Sequence, residues 1–148
     1  MKKKNFYILS IAILILLIYG VAKWDDYREK NLASLLDTSE IEKIYYNQLP
    51  IKDEKAAYNR QLTNDQSIKE LISFLSQYKV EKVGERDFVS EYPEEQFQFQ
   101  LEYKDERITM PSLIEKDILL HDLYQYHITN GPVDYEWLER FLEENGEE

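Results

Sequence analysis

Seventeen consecutive residues near the N-terminus, Phe6 to Ala22, carry no charge. As a helix they span roughly 25 Å, and continuing to Trp24 adds about 3 Å. The hydrocarbon core of a bilayer is about 30 Å thick. A buried core helix would need apolar surroundings on every side, which one small domain does not supply. Two readings remain, an anchor that stays and a leader that is removed. Lys2, Lys3 and Lys4 form a basic start, and Gly20-Val21-Ala22 offers small residues of the kind that signal peptidases cut after. The apolar run, however, is at the long end for a leader. It is followed by Lys23 and by Trp24, a residue that favours the membrane interface. We read residues 1–24 as a transmembrane signal-anchor. The alternative is a signal peptide cleaved after Ala22. In both cases the lysines stay in the cytoplasm and the rest of the chain crosses the membrane.

The charge distribution separates this segment from the remainder of the chain. Residues 1–24 hold four lysines and no acid, whereas residues 25–148 hold 14 basic and 29 acidic residues, a net of −15. Nucleic acid is excluded as a partner, because phosphate binding needs a cationic footprint. Anionic headgroups would repel the acidic part, so contact with the lipid bilayer is expected through residues 6–22 and not through the domain. There are no cysteines. That removes disulfides, thiol catalysis, thiolate metal sites and a lipid-modified cysteine after the leader.

About 120 further residues suffice for one small domain. Residues 25–38 read as a juxtamembrane helical linker, with Tyr27, Leu32, Leu35 and Leu36 as its apolar points. Residues 39–148 read as an extracytoplasmic α+β domain. Glu40 to Asn47 is strand-like, with Ile44 and Tyr46 on one face. Residues 48–59, with Pro50, read as a loop or ragged strand end. A helix is expected over Asn64 to Tyr78. Thr63 and Gln66 stand at capping-box spacing, and Ile68, Leu71, Ile72 and Leu75 make a continuous apolar stripe. A strand is expected around Phe97, Phe99, Leu101 and Tyr103, whose alternate residues Gln98, Gln100 and Glu102 should see water. Lys104 to Glu106 is its turn, and Arg107 to Met110 begins the return. Ile118 to Leu120 and Tyr124 to Thr129 are further strands. A last helix runs from Tyr135 to about Glu144, capped by Asp134. Val133 staples Leu138, and Trp137, Leu138, Phe141 and Leu142 form the apolar face. Residues 144–148 read as a frayed acidic tail. The fold class is therefore α+β: a small, mostly antiparallel sheet packed with two helices.

The search for chemistry starts with histidine, which serves both metals and acid–base work. His121 and His127 are the two present. On one uninterrupted strand they would stand about 20 Å apart, too far to share a metal. A turn near Asp122 would bring His121, Asp122 and His127 together. Such a site would suit a metal-assisted hydrolase, the lesser alternative. The acidic pairs Asp25/Asp26, Glu94/Glu95 and Glu143/Glu144 do not make catalytic dyads by adjacency, since strand neighbours point to opposite faces. No calcium-loop, nucleophile-elbow, phosphate-loop or zinc-helix motif is present. Four glycines, Gly20, Gly84, Gly131 and Gly146, cannot build a glycine-rich nucleotide loop. No catalytic, cofactor-binding or metal residue is assigned, and the chain is read as non-enzymatic. Tyr45, Tyr46, Tyr92, Tyr103, Tyr124, Tyr126 and Tyr135 suit either a half-buried sheet or a binding surface.

The layout resembles small cell-envelope proteins of Gram-positive bacteria. The residues that carry the resemblance are KKKNFYILSIAILILLIYG, TNDQSIKELISFLSQY and YQYHITNGPVDYEWLERFL. It implies a basic start, one hydrophobic segment and a compact extracytoplasmic α+β domain, and it brings no catalytic residues. The expected role is that of a membrane-tethered protein that binds another protein of the envelope. A secreted binding domain is the alternative if the leader is cut.

Overall fold

The computed structural model describes residues 2–47, 58 and 60–147, with side chains described from Tyr7 onward. The expected loop over residues 48–59 lies outside them, apart from Tyr58. The fold is α+β. Helix α1, Lys2–Tyr27, is followed by the short strand β1, Lys30–Asn31, and the one-turn helix α2, Leu32–Leu35. Next come β2, Ile41–Tyr46, β3, Arg60–Leu62, α3, Asp65–Leu75, and β4, Lys79–Glu85. A 3-10 turn at Pro93–Glu95 leads into β5, Gln96–Tyr103. The chain ends with β6, Ser112–Glu115, β7, Ile118–His121, β8, Tyr124–Ile128, and α4, Tyr135–Asn145. The eight strands form one sheet in the order β1-β4-β8-β7-β6-β5-β2-β3. Every pair is antiparallel.

One face of the sheet carries the core. Phe97, Phe99, Leu101 and Tyr103 all point into it, as their alternation requires. Ile44 and Tyr46 on β2 and Leu119 on β7 join them. Helix α3 lays Ile68, Leu71, Phe74 and Leu75 on this face, and α4 adds Leu138, Phe141 and Leu142. Aromatic rings stack through the layer. Phe97 lies 4.8 Å from Phe99, and Trp137 lies 3.9 Å from Phe74 and 4.8 Å from Phe141. Ile72, expected in the α3 stripe, sits at its margin, and Phe74 takes the deeper place.

Several boundaries differ from expectation, each for a local reason. The helical linker over residues 25–38 is broken. Helix α1 stops at Tyr27, Lys30 pairs with Val80, and Asn31 caps α2 by accepting from the Ala33 N–H. Leu32 and Leu36 are core residues, so this stretch is built into the domain. The α3 cap is Asn64, whose Oδ1 accepts from Gln66 and Ser67 N–H. Thr63 instead donates to Glu147 Oε2. An asparagine one residue nearer the helix reaches the same orphan donors. The Asp134 cap is found as expected, accepting from Trp137 N–H, and Val133 and Leu138 are both buried.

The strand after the Lys104–Glu106 turn makes only one bridge, Glu102 to Ile108, before regular pairing resumes at β6. Strand β4 has no clear signal in the sequence. Its residues, KVEKVGE, alternate weakly and include a glycine, and a bulge at Lys82–Gly84 interrupts its pairing with β8. The tail is ordered through Glu147, contrary to a frayed end. Glu147 N–H and C=O both pair with Gln61 at 2.9 Å, closing the outer edge of β3. Gly146 makes this possible. A Cβ there would overlap the Tyr46 hydroxyl and the Leu142 carbonyl oxygen, and that hydroxyl donates to the same carbonyl.

The face opposite the core is not simply wet. Gln98 and Gln100 are half-buried and hydrogen-bonded to Gln96, Asn47 and Thr109. Glu102 pairs with Lys43 at 3.2 Å and accepts from the Tyr45 hydroxyl. Residues 86–95 must connect β4 to β5 across the intervening strands, and they are pinned there by Glu115.

Candidate functional site

Helix α1 contains a 21-residue span, Tyr7–Tyr27, long and apolar enough to cross a membrane, and no residue of its 18-residue apolar window is buried by the rest of the molecule. Its apolar side chains from Tyr7 to Val21 are exposed all round. The helix is therefore not recruited to the core, which α3 and α4 already cover.

Its C-terminal end is fastened to the sheet. Lys82, at the bulge in β4, keeps only 7% of its side chain exposed. Its Nζ lies 2.8 Å from Asp26 Oδ2, 3.3 Å from the Tyr124 ring centroid and 5.7 Å from that of Tyr27. Burial pulls this ammonium's pKa down, but the Asp26 carboxylate more than offsets it, so the net direction is upward. One turn later Glu29 pairs with Lys79 at 2.8 Å and accepts from the Thr129 hydroxyl at 2.8 Å. Lys82 is not legible as a site residue in the sequence, because β4 itself is not.

A cleft of about 420 Å³ opens beside His121, Asp122, Asp37, Tyr103 and Arg107. His121 Nδ1 lies 2.9 Å from Ser112 Oγ, and Nε2 lies 3.6 Å from Asp122 Oδ2. The three residue types are those of an acyl-transfer triad, but the placement differs. Ser112 is 2% exposed and sits on the core face of β6. A substrate carbonyl has no route to that hydroxyl, so the bond serves to satisfy two buried polar groups. Burial lowers the His121 pKa, against the opposing pull of Asp122 and the Leu35 backbone.

His127 is not part of this cleft. It pairs across with Ile118, while His121 pairs with Tyr124. Ile118 and His121 are three residues apart on β7, so the two histidines lie on opposite faces of the sheet. His127 faces Asp117 instead, at 3.5 Å. The grouping of His121, Asp122 and His127 considered from sequence is thus not assembled. Among the described residues no set of three His, Cys, Asp or Glu side chains is placed to hold a metal.

The tyrosines divide between packing and surface. Tyr46 and Tyr103 are buried and donate to the Leu142 and Leu36 carbonyls. Tyr45 lies on the opposite face from Tyr46, as their adjacency demands. Tyr92 and Tyr124 are partly exposed, each with a lysine over its ring, Lys116 at 3.2 Å and Lys82 at 3.3 Å. The Tyr135 hydroxyl is buried with no hydrogen-bond partner among the described residues, and burial pushes its pKa up to about 12.

The state of His121 has a measurable consequence. Its folded pKa lies below the ordinary value of about 6.5. Between those two values the unfolded chain binds the proton and the native ring does not, so stability falls as pH drops through that window. His121→Gln is expected to flatten the decline as pH falls below about 6.5. Urea midpoints measured across that range check it, and an unchanged slope in the variant would refute it.

The chain matches no protein-family profile, no curated protein and no solved structure.

Proposed function

We propose that this chain is a single-pass membrane protein whose acidic, non-enzymatic domain is held on the extracytoplasmic side and binds another protein of the cell envelope. One observation carries the reading: α1 is an apolar helix of spanning length that the fold leaves uncovered. Exposing that much apolar surface to water is costly, at roughly 25 cal/mol per Å², and a bilayer removes the cost. Lys2, Lys3 and Lys4 lie just before the uncharged run from Phe6 to Ala22, and only Lys23 adjoins its other end, an asymmetry of basic residues that favours a cytoplasmic N-terminus. Tethering confines the domain to the membrane plane and raises its effective concentration toward a membrane partner. The likeness to Gram-positive envelope proteins supports the same assignment.

The cleaved, secreted form is the second reading. A cut after Ala22 would leave the Asp26–Lys82 pair with the domain. The mass of the mature protein separates the two: the anchored form retains residues 1–22, and an N-terminus at Lys23 rejects it. Protease added to intact protoplasts is expected to digest the domain. Protection until lysis would reverse the orientation. Crosslinking in cells, followed by mass spectrometry, is expected to recover an envelope protein joined to the domain.

A further inference from the structure

We infer that the domain rests one end of its sheet on the bilayer that holds α1, with Leu123, Ile108 and Met110 entering the headgroup layer. This rests on the anchored reading and adds a second membrane contact, one that the net acidity of the domain argued against.

The path of the chain supplies the direction. Asp26 meets Lys82, Glu29 meets Lys79, and Lys30 pairs with Val80. The chain leaving α1 therefore runs along β4 from its C-terminal end toward its start. Helix α1 arrives from the end of the sheet where β4 finishes. Antiparallel pairing identifies what else lies at that end. Glu85 pairs with Tyr124, and Tyr124 with His121, so the β7–β8 turn is there, and the Arg86 N–H donates to the Leu123 carbonyl at 3.1 Å. Strand β6 begins and β5 ends at the same place, which puts the loop containing Ile108 and Met110 beside it.

These residues are exposed without a folding reason. Leu123 occupies a two-residue hairpin turn, where glycine, asparagine or aspartate is the usual choice, and is 66% exposed. Ile108 is 58% exposed and Met110 47%. Single exposed apolar side chains are ordinary, but a group gathered at one end marks a contact. The charges nearby include Asp37, Asp105, Glu106 and Asp122 against Lys104 and Arg107. That balance is acidic, so the contact is apolar insertion into a neutral or zwitterionic surface rather than attraction to anionic lipid. The Lys82 clamp between Asp26, Tyr27 and Tyr124 keeps α1 and the sheet in register for it.

The chain has no cysteine, so single labels can be placed cleanly in the full-length protein. Leu123→Cys, Ile108→Cys, Asp117→Cys and Ile15→Cys would each carry an NBD fluorophore, in phosphatidylcholine nanodiscs. Asp117 lies at the opposite end of β7, about 13 Å further from the bilayer. The expected result is blue-shifted emission at positions 108 and 123, quenched by nitroxide-labelled lipid and unchanged by salt, with position 117 water-like. Emission at 108 and 123 equal to that at 117 overturns the inference. A blue shift that lipid nitroxide does not quench also overturns it and assigns the surface to protein. Position 15 reports the anchor separately. If it is lipid-quenched while 108 and 123 are not, only this inference fails. If position 15 is itself water-like, the anchored reading fails and this contact fails with it.

Discussion

Glu115→Ala is expected to lower the stability of the protein by about 3 kcal/mol or more, because several neutral donors lose one shared charged acceptor, each such bond contributing about 1.5–3 kcal/mol. Glu115 is 2% exposed at the end of β6. Its carboxylate accepts from Ser90 Oγ at 2.8 Å, Glu91 N–H at 2.9 Å, Tyr92 N–H at 2.8 Å and Gln96 Nε2 at 2.7 Å. These contributions are not additive. Alanine would take the shared acceptor away from all four donors. Those donors belong mainly to the segment that crosses from β4 to β5, so its attachment is lost with them. The charge itself matters. Burial alone would raise the Glu115 pKa, but the Tyr92 N–H, the Gln96 amide, the Ser90 hydroxyl and the Glu91 N–H together bring it below the ordinary value. With a depressed folded pKa, the stabilisation is complete above the unfolded value of about 4.3. It is lost as pH falls through the folded value. Glu115→Gln should remove this acid-sensitive part while keeping the shape. Urea titration of the detergent-solubilised chain, at neutral and acid pH, measures both variants. A loss under about 1 kcal/mol for alanine would mean that water replaces the carboxylate and the segment is not held by it.

Trp137→Ala is the second large effect, expected at about 3 kcal/mol. That is the low end for truncating a large aromatic in a core, because the ring is half-buried rather than sealed. The indole stacks on Phe74 with a 12° interplanar angle and on Phe141 with 7°. Such aromatic pairs contribute about 0.5–1.5 kcal/mol beyond their buried area. A protein of this size commonly has about 5–15 kcal/mol in total, so the variant should unfold at a much lower urea concentration. Trp137→Phe keeps a flat ring and should retain most of the midpoint. A groove of about 370 Å³ lies beside Trp137, between α3 and α4. If that groove were the protein-binding face, Trp137→Ala would leave the midpoint unchanged and abolish crosslinking in cells. This result would move Trp137 from the packing of the fold to its interface.

Local periodicity alone determined the elements with strong signals. The run from Phe6 to Ala22 could only be an apolar helix. Phe97, Phe99, Leu101 and Tyr103 could only share the buried face of a strand, and Ile68, Leu71 and Leu75 one side of α3. Asp134 was legible as a cap because its side chain acts on N–H groups three residues away. What escaped depends on partners distant in sequence. Strand β4 has little alternation of its own and exists because β1 and β8 flank it. Leu32 and Leu36 read as a linker, since nothing local says that α3 and the sheet will enclose them. Glu115 looked like one acid among 29, until the fold brought residues 90–96 over it. His121 and His127 stand six residues apart in the chain, and the hairpin between them puts them on opposite faces. Lys82 became the clamp on α1 only when the chain turned back along β4. Tertiary structure decided these cases because burial, and with it the strength of a charge or a hydrogen bond, is set by what folds on top and not by the neighbours in the chain.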